Sequence, residues 1–256
     1  MIKFENTESL TGVSITGDYY DFNNLVDAFH TITIDEYSEK NSEYVEMSIR
    51  VLGVCYDIRH AYQGDREVIL LDNDMDDEKM KYHSIITTTK NVYYKCNLLY
   101  PEMLYVTIAL NELIKLRMKE LSKKKHIYEL PYDKNVIWDD TIAVIRNFQA
   151  EFAKCVKELL TERSFSMWLN YMSVENSYII VLYHQYLDML NIQYINMTKE
   201  KRLKSFTKIS KRIAEFDYDD EYFQIRKSID EAAKKYNCHH SELRLSDMEY
   251  PEKITW

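Results

Sequence analysis

Glycine is almost missing from this 256-residue chain: Gly12, Gly17, Gly53 and Gly64 are the only four, and none follows residue 64. Folds that cradle phosphate need a glycine-lined loop between a strand and a helix, so Rossmann and P-loop architectures are excluded. Long apolar runs are missing as well. The longest, around residues 179–183, falls far short of the roughly 18 residues a membrane span requires. The opening Met1-Ile2-Lys3-Phe4-Glu5 lacks the apolar core of a signal peptide. The expectation is a cytoplasmic protein with no membrane partner. Cysteine is sparse: Cys55, Cys96, Cys155 and Cys238 are widely spaced with no CxxC pair, which argues against a zinc ribbon and reads as reduced thiols.

What is present is core-forming material. Hydrophobic residues make up 46% of positions and charged residues 29%, enough for one large or two small packed cores. The 22 tyrosines, beside many Asn, Ile and Lys, fit an AT-rich bacterial coding sequence. Charge is divided unevenly. Residues 1–100 hold 18 acidic and 9 basic side chains, whereas residues 101–256 hold 24 of each. The net charge of -9 therefore belongs to the first part, whose surface repels nucleic acid and acidic membranes.

Short alternations at residues 2–4 and 13–15, with Gly12 and Gly17 beside them, predict an edge hairpin. Asp21 is a suitable N-cap for a helix carrying Leu25, Val26 and Phe29. A longer helix is expected over 42–63, stopped by Gly64, and then a strand over 68–71. Strands at 84–89 and 92–99 about a Lys90-Asn91 turn would form a second hairpin, and Pro101 opens a helix to about Leu121. Three consecutive lysines, Lys123 to Lys125, and Pro131 mark a boundary, with 125–136 as the connection. Beyond it the chain reads as helical. Trp138, Ile142, Ile145, Phe148, Phe152, Val156 and Leu159 fall at spacings of three and four, and 174–192 is apolar on nearly all sides, the expected central helix. Thr198 caps a helix to about Phe216, and a last helix spans about 219–236. The reading is α+β: an acidic part over 1–124 with a small antiparallel sheet and helices, joined through 125–136 to an all-helical bundle over 137–256, the two free to pack as one domain.

The segment most suited to chemistry is Leu52-Gly53-Val54-Cys55-Tyr56-Asp57-Ile58-Arg59-His60-Ala61-Tyr62-Gln63-Gly64-Asp65-Arg66-Glu67. On a helix Glu46, Arg50, Gly53, Asp57 and His60 form one polar stripe at spacings of four, three, four and three. The plain account is a solvent face with Glu46–Arg50 and Asp57–His60 pairs. The sharper account makes Asp57, His60, Arg59 and Arg66 a catalytic set, Asp57 fixing the His60 tautomer while an arginine binds an anion. The stretch LGVCYDIRHAYQGDRE, followed by KNVYY, resembles an uncharacterised family of bacterial proteins over about the first 120 residues. That resemblance implies no activity, substrate or partner.

Other constellations are weaker. Asp72, Asp74 and Asp76 alternate as in a calcium loop, but Asp77 stands where that loop needs glycine and His83 where it needs glutamate, so a first-turn acidic cluster competes with a Mg²⁺ or Ca²⁺ site. His184 and Asp188 are four apart on the most apolar helix, suited to a buried hydrogen-bonded pair or to two metal ligands. Lys201, Lys204, Lys208 and Lys211 make a basic stripe opposite Leu203, Phe206, Ile209 and Ile213; it is either a solvated face or a docking surface for nucleic acid or an acidic partner. The arginine-to-histidine spacing of helical ribonuclease-like domains is absent.

Two readings stay open. One is a non-enzymatic binding or interaction protein of a bacterial accessory or phage-related system. Its partner would be another protein or a second copy, with nucleic acid reachable only through the 199–212 helix. The other is a hydrolase or nucleotide-processing enzyme built on Asp57, His60, Arg59 and Arg66. No cofactor is implied. Convergence of His60, Arg66 and a carboxylate of the 72–78 segment in one pocket would favour the enzyme.

Overall fold

The computed structural model describes residues 2–174, 181–246 and 248–256. Strands β1 (Lys3–Asn6) and β2 (Gly12–Gly17) form the expected hairpin. Two further strands, β3 (Glu67–Asp72) and β4 (Lys90–Leu99), complete an antiparallel sheet in the order β1-β2-β4-β3. Val13 and Ile15 of β2 are fully buried. Gly12 is required by close approach, because a Cβ there would fall 1.9 Å from the Leu98 carbonyl oxygen of β4.

Helix α1 (Tyr19–Ile32) starts a turn earlier than Asp21 would place it. Asp18 is the cap: its side chain accepts from the Asp21 amide, and the Asp21 side chain accepts from the Asp18 amide, a reciprocal box. Helix α2 (Val45–His60) follows a 3₁₀ turn at Ser42–Tyr44 and widens into a π turn at Ala61–Asp65, so the 42–63 segment is three helical pieces rather than one. Gly64 takes φ 92°, a left-handed value open to glycine, and redirects the chain into β3.

The strand expected over 84–89 does not form. Asp76 caps a short helix, α3 (Asp77–His83), whose first turn carries Asp77 and Glu78. Acidic residues at a helix N-terminus favour that turn, and the chain then runs irregularly to Lys90. Ile85 and Ile86 meet no buried face, and Ile86 is fully exposed.

The remaining α-helices among the described residues are α4 (Tyr100–Leu121), α5 (Lys134–Ile137), α6 (Asp140–Lys157), α7 (Glu162–Met172), α8 (Val181–Ile195), α9 (Lys199–Ala214) and α10 (Asp220–Tyr236). Of the segment expected as the central helix, residues 175–180 lie outside the described residues. The position at the centre belongs to α4, which is buried around most of its circumference and packs on α2, α6, α8 and α9. Ile142, Ile145, Phe148, Phe152 and Val156 of α6 are buried as the spacing predicts, whereas Trp138 is exposed because it sits in the turn before the α6 cap, Asp139. Phe148 reaches back to the sheet, with its ring 5.2 Å from Phe4 and 5.3 Å from Phe29. One continuous apolar cluster therefore runs from β1 to α10. The fold is α+β, a small four-stranded antiparallel sheet followed by helices.

Arg202 is a buried fastener. Its Nε donates to the Tyr194 carbonyl at 3.0 Å and its Nη2 to that of Ile195 at 2.6 Å, both at the end of α8, while Nη1 donates to Ser9 at 2.7 Å in the β1–β2 loop. The Tyr194 and Ile195 carbonyls are among the last of α8, which have no partner within the helix.

Candidate functional site

Three members of the α2 polar stripe face a cleft. Arg50, Gly53 and Asp57 form one wall of a cleft of about 660 Å³, opposite β4, the first turn of α4, α8 and the C-terminal segment with Tyr250, Ile254 and Trp256. Gly53 leaves room in that wall, since a Cβ added there would meet no atom within 4 Å.

Arg50 is the electrostatic centre. Its Nε donates to Glu102 Oε1 at 2.6 Å and its Nη2 to Glu102 Oε2 at 2.5 Å, a bidentate pair, and its Nη1 lies 2.8 Å from Asp188 Oδ1. Burial works against its charge, but the two carboxylates outweigh burial and raise its pKa above the usual arginine value. Asn191 Nδ2 donates to Glu102 Oε2 at 3.1 Å and to the Tyr250 hydroxyl at 3.2 Å, and that hydroxyl donates to Asp188 Oδ1 at 3.1 Å. A carboxylate can only accept, so this contact fixes which end of the Asn191 amide is the NH₂. Its Oδ1 is left buried without a partner.

Farther along the cleft the charges pair one to one, Arg66 with Asp57 at 2.8 Å and Lys95 with Glu67 at 3.1 Å. His184 faces Glu46, Nδ1 to Oε2 at 3.6 Å, and its buried Nε2 has no partner. Burial first, then the positive charge of Arg50, lowers its pKa to about 4, so the ring is neutral at pH 7. Burial pushes the Cys96 thiol up to about 12, which removes it as a nucleophile.

The sequence-predicted residues divide. Asp57 and Arg66 lie on the cleft and bond each other. His60 turns away to Asp65, Nδ1 to Oδ2 at 2.8 Å, with its ring 4.0 Å from that of Tyr56. Arg59 sits over the Tyr56 ring at 5.5 Å, and neither it nor His60 lines the cleft. The expected Asp57–His60 and Glu46–Arg50 pairs give way to longer-range partners. Asp72, Asp74 and Asp76 are at the far end of β3: Asp72 accepts from the Asp74 amide, Asp74 pairs with Lys79 at 2.9 Å, and Asp76 caps α3. Among the described residues no group of three or more His, Cys, Asp and Glu could hold a metal ion. His60, Arg66 and the 72–78 acids do not converge in the cleft.

Lys201, Lys204, Lys208 and Lys211 are exposed along α9, while Arg202 and Arg212 of the same helix turn inward, Arg212 to Asp219 at 2.7 Å. Leu203, expected on the apolar side, is exposed, and Arg202 and Ser210 take buried positions beside Phe206, Ile209 and Ile213. Glu102, Asn191 and Tyr250 were missed. Asn191 extends the His184, Asp188 register by three, the signal that could have found it; Glu102 reads in sequence as an ordinary acidic first-turn residue.

Fold and cleft together define an α+β protein with an open, ion-paired pocket between its sheet and its helices. The chain belongs to the family of a domain of unknown function (DUF6904), whose model matches residues 2–256. The match covers nearly the whole chain. No curated protein and no solved structure matches it. Among the described residues no helix is long and apolar enough to cross a membrane.

Proposed function

We propose that this protein is a binding protein whose cleft takes a small organic ligand. The observation that carries this reading is the cleft itself. Its volume of about 660 Å³ lies within the roughly 300–1,000 Å³ of small-molecule sites, and its polar groups come from elements far apart in sequence. Chemistry on the ligand is the weaker alternative. The thiol in the wall is held protonated, the histidine in the wall is neutral, and His60, the base of the enzyme reading, is engaged with Asp65 outside the cleft. Three cysteines are free and buried, which suits a reducing compartment such as a cytoplasm. The test is a fragment screen by ligand-observed NMR on the protein and on Gly53→Phe, whose ring fills the open space in the wall. Fragments that bind the first and not the second support the reading, and a screen in which no hit depends on Gly53 refutes it.

A second reading, self-association, is favoured by β3. It is an edge strand, and Val68, Leu70 and Leu71 are exposed on its two faces. Protein edges usually carry charge or proline at such positions to block pairing. A two-fold antiparallel pairing centred on Leu70 sets Ile69 against Leu71, Val68 against Asp72 and Glu67 against Asn73, with no like charges opposite. Sedimentation velocity on the protein and on Leu70→Lys tests it: a dimer converted to monomer supports the pairing, and an unchanged distribution rejects it.

A further inference from the structure

We infer that the cleft selects ligands bearing a positive charge, an ammonium, amidinium or guanidinium group, bound beside Asp188, Glu102 and Asn191. The inference rests on the cleft being a ligand site and names the ligand's chemical class.

The charge balance points there. Arg66 and Lys95 each answer one carboxylate, but Arg50 answers two, Glu102 and Asp188. Among the described residues that line the cleft, and with His184 neutral, four carboxylates face three cations, while Arg244, whose charge also reaches His184, lies outside that lining. This surplus is not in open water: the side chains of Arg50, Glu102 and Asp188 are 19%, 16% and 31% exposed. Unbalanced charge at partial burial is unfavourable, and a cation entering the cleft relieves it while an anion aggravates it.

Hydrogen bonding independently calls for an N–H donor, which a nitrogen cation supplies. Asn191 is 1% exposed, and with its NH₂ committed to Glu102 and Tyr250 its Oδ1 is an acceptor with no donor. An unsatisfied buried acceptor is costly, and a ligand N–H relieves it where a carboxylate or phosphate cannot. A nitrogen cation brings both the charge and the donors. Trp256, in the same wall, adds an aromatic surface of the kind that favours cations.

Three probes of one shape separate the possibilities: benzamidine, its neutral counterpart benzamide, and benzoate, each titrated by calorimetry into the protein, Gly53→Phe and Asp188→Asn. Benzamidine is expected to bind at least about tenfold tighter than benzamide, the scale of one partly screened ion pair, with benzoate weakest and all binding lost in Gly53→Phe. Asp188→Asn keeps the Arg50–Glu102 pair and should bring benzamidine close to benzamide. Should that variant fail to fold, Asn191→Ala, which removes the free acceptor and alters no charge, should reduce benzamidine binding instead. If benzamide or benzoate binds as tightly as benzamidine and Gly53→Phe abolishes both, the cation inference is overturned while the ligand cleft stands. Silence from all three probes also overturns it, and the cleft reading falls only if the fragment screen is silent as well.

Discussion

Arg50 holds Glu102 through two parallel hydrogen bonds, of 2.6 and 2.5 Å, across the gap between α2 and the first turn of α4. The third arm of the same guanidinium reaches Asp188 on α8, so a single side chain joins three helices, α2, α4 and α8. Replacing it with Met leaves two carboxylates facing each other with no cation. The expected cost is about 3 to 5 kcal/mol in urea unfolding. Glu102→Gln in the Arg50→Met background should restore part of that loss; no restoration would mean that packing by the Arg50 stem, not charge, holds the junction.

Gly53 separates stability from function. It sits inside α2 with a helical neighbour on either side and open space where a Cβ would be. Alanine should therefore raise stability by about 1 kcal/mol, the ordinary helix preference over glycine. Gly53→Phe should remain folded and lose ligand binding. Gly12→Ala is the contrast: its Cβ would collide with the Leu98 carbonyl, and the variant should be strongly destabilised. Thermal unfolding of the three proteins checks the order.

His184 predicts a pH dependence of definite sign. Its pKa falls from 6.5 to about 4 on folding, so between those values the unfolded chain holds a proton that the folded protein does not. Stability is present above about pH 6.5 and is lost as the pH falls toward 4, with about 2 kcal/mol lost between pH 7 and pH 5. The carboxylates with lowered pKa, Asp76, Asp133, Glu200 and Asp219, act below that window. Urea titrations at pH 7 and pH 5 should show the difference, and His184→Phe should remove most of it. An equal slope in the variant would assign the effect elsewhere.

Arg202 tests a purely structural role for a basic residue of α9. Arg202→Met removes a donor from three carbonyls, of which that of Tyr194 keeps the Met197 amide, and should cost about 3 kcal/mol or more. Reversing the exposed Lys204, Lys208 and Lys211 to Glu should leave the unfolding midpoint nearly unchanged. If the triple variant unfolds as readily as Arg202→Met, the solvated assignment of that stripe is mistaken.

Much of the fold could be read in the chain because it was local. Thr198 announces a helix start, Gly64 announces a stop, and the α6 stripe fixes its buried face. The strand expected at 84–89 failed because a nearby cap captured the preceding residues for a helix. The site was half legible. The α2 stripe with Arg50, Gly53 and Asp57 could be seen as one polar line, and His184 with Asp188 as another. What no spacing reveals is that the two lines face each other. Within α2 the periodicity offers Asp57 to His60, three residues on; in the fold Arg66, nine residues on, reaches Asp57, and His60 is left to Asp65. Glu102 and Tyr250 join only through tertiary packing, for which the sequence carries no local mark.

Residues 250–256 give the cleft a wall that is secured from elsewhere in the fold. Tyr250, Ile254 and Trp256 form part of that wall, and the carbonyl of Thr255 accepts from the Thr11 hydroxyl at 2.5 Å. Detachment of this segment, the smallest local opening that would reach the cleft, exposes the ion pairs to water without unfolding a helix or strand. Ligand held in the cleft should therefore lower the exchange rate of the amides in 250–256 before it changes those of the sheet.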